Sequence, residues 1–115
     1  MNDWGIIQER YLQDALDIRL GGIAANLARI KSFSSHDANQ EAVASLLEES
    51  KFFIEWTAGE ADINTAAELV DLQIQLSLWW RALDRIWQDS AQRQQVASTS
   101  GKWSQRVLEL SGLLG

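Results

Sequence analysis

Leu69, Leu72, Leu76, Trp79, Leu83 and Ile86 step 3, 4, 3, 4, 3 along the chain. That spacing lines up one side of an α-helix, whereas a strand would scatter the six residues over both faces. No proline interrupts this run or any other part of the 115 residues, and proline is the residue that breaks helix interiors. Nowhere does the chain alternate cleanly with period two between turn residues. An all-α fold is the expectation.

The same logic divides the chain into four helices. The first is predicted from about Asp3 to Lys31 and carries two apolar stripes. One holds Trp4, Ile7, Tyr11, Ala15, Ile18 and Ala25; the other holds Leu12, Leu16, Leu20, Ile23, Leu27 and Ile30. Gly21 and Gly22 lie inside this helix, where each costs about 1 kcal/mol relative to alanine. They read either as a tolerated weak point or kink or, as is the expectation, as a sign of close approach by a neighbouring helix on the face of Gly22, Ala25 and Ala15. Asp37 is the predicted N-cap of the second helix, with Gln40 completing a capping-box pattern, and Gly59 ends that helix after Ala58. Its core stripe is Val43, Leu46, Leu47, Phe53 and Ile54.

The third helix begins near Thr65, with Asn64 and Asp62 as the other candidate caps, and carries the long stripe. After Asp89 the chain turns polar, through Gln92 to Gln95 and Ser98 to Gly101, and reads as a fraying helix end and a loop. A short fourth helix, from about Lys102 to Ser111, docks through Trp103, Val107, Leu110 and Leu114. Two long helices, one medium helix and a short C-terminal one predict an up-down four-helix bundle, with residues 1–115 as a single domain.

Composition narrows the function classes. The apolar and charged fractions, 46% and 23%, are those of an ordinary globular domain rather than a disordered chain. The net charge of −6 opposes nucleic acid and anionic membranes, which draw most of their affinity from basic surfaces. The absence of cysteine removes thiol catalysis, thiolate metal sites and disulfides. The opening Met-Asn-Asp-Trp-Gly lacks the pattern of a signal peptide. The apolar stretch from Leu20 to Ala28 is far shorter than the roughly 20 residues of a membrane span. A cytoplasmic protein without membrane insertion is the expectation.

Catalytic chemistry finds no purchase. His36 is the lone histidine and sits in a predicted loop. Glu9, Asp14 and Asp17 fall on the polar side of the first helix, and no Glu-x-x-His pair of the dimetal type occurs. Glu48 and Glu49 are adjacent and splay apart; Asp71 and Asp84 border the long stripe, where Asp84 suits an arginine partner. No nucleophile elbow, phosphate loop or dinucleotide fingerprint is present. The sequence assigns no catalytic residue, metal ligand or cofactor.

Binding is better represented. Phe52 and Trp56 are four apart on the side opposite a good core stripe, so that either the second helix is sandwiched, against the fourth helix or the loop after the third, or the pair meets another chain; Ile74 and Leu78 lie beside Arg81 and Arg85. Large aromatics and arginine are typical contact residues between proteins. Phe52, Trp56, Ile74, Leu78, Arg81 and Arg85 are the predicted contact residues of a non-enzymatic adaptor or regulatory subunit, a homodimer or the partner of another protein. The competing expectation is a helical bundle that binds a small apolar ligand in a pocket lined by Tyr11, Trp79, Trp80 and Trp87.

Overall fold

A computed structural model describes residues 3–114. Five α-helices follow one another: α1 (Trp4–Leu12), α2 (Leu16–Phe33), α3 (Gln40–Ala58), α4 (Ile63–Trp87) and α5 (Ser90–Ser111). A 3-10 turn, Asp37–Asn39, precedes α3, and no strand occurs among the described residues. The chain is all-α, with five helices where the sequence predicts four. In this arrangement α2, α3, α4 and α5 form a ring, each packed on the next in sequence and α5 returning to α2. Outside the ring, α1 rests on α3.

The predicted first helix is therefore two. Ala15 is extended, with φ −63° and ψ 158°, and separates them. The two stripes of the sequence face different directions, and one straight helix cannot bury both in a single core. The break sends Leu20, Ile23, Leu27 and Ile30 inward and lets α1 fold across the outer side of α3. Tyr11 fastens it. Its buried hydroxyl donates to the Arg19 carbonyl at 2.9 Å and pairs with Thr57 Oγ1 on α3 at 3.0 Å. Arg19, itself buried, donates from Nε to the Asp14 carbonyl and grips both carboxylate oxygens of Glu60 at 2.8 and 3.0 Å.

The C-terminal helix is long rather than short. Asp89 caps it, accepting the Ala91 N–H at 2.9 Å, so the polar run after Asp89 is helix and not loop. Its inward side carries Val96, Ser100 and Val107, all buried. Small residues there allow α2 to come close. Ser104 Oγ donates to the Ala24 carbonyl at 2.8 Å, and a Cβ on Gly101 would stand 3.0 Å from the Lys31 side chain. Leu114 is exposed instead of docked.

Of the paired glycines, Gly21 is the crowded one. A Cβ on Gly21 would meet Leu113 Cδ1 at 2.8 Å, whereas one on Gly22 would make an ordinary 3.8 Å contact with Tyr11. Ala15 and Ala25 are exposed. The predicted face of Gly22, Ala25 and Ala15 is thus not where helices meet closely.

The remaining helix ends bear out some of the expected caps and correct others. Asp62 caps α4, its Oδ1 accepting the Thr65 N–H at 2.8 Å. No side chain caps α3; the Asp37 carbonyl instead accepts from Trp87 Nε1 at 2.7 Å, tying the α2–α3 connection to the end of α4. Gly59 keeps a right-handed φ of −68°, and the left-handed cap is Gly112 after α5, at φ 76°. The inward side of α4 is the predicted stripe, buried throughout from Leu69 to Ile86.

Candidate functional site

α4 carries a second apolar face. Ile63, Val70, Ile74 and Leu78 are 84%, 46%, 56% and 55% exposed, on the side directly opposite the buried stripe. The period that buries Leu69, Leu72 and Leu76 must turn these residues outward, since a helix shows its two sides in one fixed phase. Arg81 and Arg85 extend the outward face toward the C-terminal end of α4, and Asp71 lies among its apolar residues.

The charges of this face are unspent. Asp71, Arg81 and Arg85 are exposed and enter no ion pair among the described residues. Their neighbour Glu68 differs: Arg106 of α5 donates to both its oxygens at 2.7 and 2.8 Å, which holds that carboxyl below the usual range. Asp84 accepts from Gln40 at 2.7 Å and not from an arginine.

Grooves flank α4 on both sides. Toward α5 an open groove of about 700 Å³ is walled by Leu78, Trp79, Arg81 and Arg85 on one side and by Gln92, Gln95 and Thr99 on the other. It exists because α5 packs mainly on α2 and less on α4. Toward α3 a smaller cleft of about 450 Å³ lies between Glu41 and Ala44 of α3 and Trp80 and Arg81 of α4.

No family model, curated protein or solved structure matches this chain. Function must be read from the geometry itself.

Of the six predicted contact residues, four share the outward face of α4: Ile74, Leu78, Arg81 and Arg85. Phe52 and Trp56 do not join them. They are half-buried under α1, with the Trp4 ring 4.5 Å from that of Phe52 and 6.4 Å from that of Trp56. Tyr11 stacks on Phe53 at 4.0 Å and reaches Trp56 at 5.9 Å. The aromatic pair that pointed to another chain is covered by this chain's own first helix. The signal for it was present in the spacing of Trp4 and Tyr11, but a continuous first helix would have carried both away from α3.

The predicted Trp-lined pocket does not form. Tyr11 is buried on α1 against α3, Trp87 is buried at the end of α4, and Trp80 stands 39% exposed over Lys51, whose Nζ is 5.5 Å from its ring centre. Only Trp79 reaches the α4–α5 groove. The four residues serve four different contacts. Among the described residues, no three His, Asp or Glu side chains converge as a metal site would require, and His36 is exposed in the α2–α3 connection. No helix there is long and apolar enough to cross a membrane.

Proposed function

We propose that this chain is a non-enzymatic protein–protein interaction module, a small adaptor or regulatory subunit, that docks through the outward face of α4. One observation carries the reading: a helix that already buries a complete stripe presents a second, ordered apolar stripe, with an exposed acid among it and two exposed arginines beyond its end. Single apolar residues on a surface are ordinary, but a continuous set along one helix face is a contact surface. The arginines add hydrogen-bonding reach and long aliphatic stems that cover apolar neighbours.

Native mass spectrometry of the protein taken from its own source tests this reading. A complex with another polypeptide, of this or another sequence, that disappears in the I74S/L78S variant supports it. A monomer carrying a discrete non-protein mass overturns it in favour of a ligand in the α4–α5 groove, with a shift in tryptophan emission that W79F abolishes as the reporter. Gln75, Gln92, Gln95, Arg81 and Arg85 line that groove as well as Leu78, Trp79, Ala82, Ile86 and Val96, a mixed lining that suits a protein contact.

A further inference from the structure

The outward face of α4 has an internal symmetry. Ala67, Asp71, Ile74, Leu78, Arg81 and Arg85 step 4, 3, 4, 3, 4, and the series reads the same in both directions about Leu76. Leu76 itself points into the core. When two helices pack antiparallel through such a seam, each residue of one flank shares a layer with the mirror-related residue of the other copy. The layers here pair Ile74 with Leu78 of a second copy, Asp71 with Arg81, and Ala67 with Arg85. The central layers are apolar. The next layer on each side joins opposite charges that enter no ion pair among the described residues. Ser77 and Gln75, which flank the centre, are uncharged and bring no repulsion across the axis.

We propose that the occupant of this face is a second copy of the chain, in a two-fold antiparallel α4–α4 contact fixed by two Asp71–Arg81 pairs. This rests on the interaction reading above and names its partner. Charge complementarity selects the arrangement. A parallel pairing would stack each arginine on its own counterpart, and like charges in one layer oppose association. Antiparallel pairing satisfies four charges at once, and two-fold contacts are the commonest form of self-association. The seam from Ala67 to Arg85 is about 27 Å long at 1.5 Å per residue. With its flanks it buries roughly 600–800 Å² per protomer, at the lower end of a stable interface.

Sedimentation equilibrium of purified wild type, D71R, R81D and an equimolar mixture of the two variants tests the contact, with circular dichroism as the check on helicity. Wild type is expected to dimerise. Each variant alone places like charges in two layers and weakens dimerisation about tenfold or more. The mixture restores it, because each protomer supplies the charge that the other has lost. Variants that dimerise as tightly as wild type, or a mixture no tighter than its components, overturn the register. Wild type that stays monomeric at every attainable concentration overturns the second copy as partner. In that case an I74S/L78S-sensitive complex with another polypeptide in the native source leaves the interaction reading standing, and the absence of any complex removes both.

Discussion

Tyr11 shows how much one side chain can fix. It is the chain's sole tyrosine, and its hydroxyl joins the α1–α2 break to α3 through Arg19 and Thr57. Burial pushes its pKa from 10.0 to about 12. The folded state therefore keeps the phenol neutral where the unfolded chain has already lost the proton. Stability is full below pH 10 and falls as the pH rises from 10 to about 12, by about 1.4 kcal/mol per unit. Tyrosinate absorbance, which reports this residue alone, should rise near pH 12 in the folded protein and near pH 10 in urea. Y11F removes that coupling and costs about 1–3 kcal/mol in urea denaturation, since it strips Thr57 and the Arg19 carbonyl of a buried partner. The sequence showed Tyr11 as an apolar-stripe residue. Its actual partners lie 8 and 46 positions away, and no local pattern discloses a hydrogen bond across such separations.

Helices themselves were legible; their breaks were not. The long stripe of α4 is buried as its spacing predicts, because a repeat sustained over that length has one physical solution. Neither proline nor glycine marks the bend at Ala15, so the two stripes of the first segment read as one helix. In α5 the fault was compositional: Ser100 and Gly101 look like loop, yet with Ser104 they are the small residues that let α2 draw near. The contact face of α4 was half legible, since Ile74, Leu78, Arg81 and Arg85 follow from phase, but the role of Phe52 and Trp56 depended on where α1 goes. If α1 is held mainly by that aromatic cluster, F52S/W56S should release it. Hydrogen exchange should then quicken over Trp4–Leu12 while the inward stripe of α4 stays protected. The glycine pair offers a finer test. Gly22 has room for a methyl group, so G22A should raise stability by about 0.5–1 kcal/mol in urea denaturation.

At the scale of the molecule, three carboxylates are each held by a partner: one in the α3–α4 connection, one at the start of α4 and one between α4 and α5. Glu60 is held by Arg19, Asp62 by the N–H of Thr65 and Glu68 by Arg106, and each is pushed below its ordinary value by that partner. A carboxylate whose folded pKa is lowered contributes stability that is full above its unfolded value and is lost as the pH falls through the folded one. The three contributions are therefore complete at neutral pH and begin to fade below the ordinary values of 4.5 and 3.8. The urea midpoint should drop on acidification through that range. E60Q and E68Q should each flatten the drop, as protonation of the wild-type group does nothing in a chain that lacks it.

The helix that completes the ring is also the last of the five to be made. α2 finds its most extensive neighbour in α5, with Gly21 against Leu113 and Ala24 against Ser104. A growing polypeptide thus carries the bare inner side of α2 through the synthesis of everything between them. Until α5 clears the ribosome, that side has only a partial shelter, and a message cut short before Ser90 yields a product that never gains one. Such a product should be recognised by chaperones and proteases as unfinished.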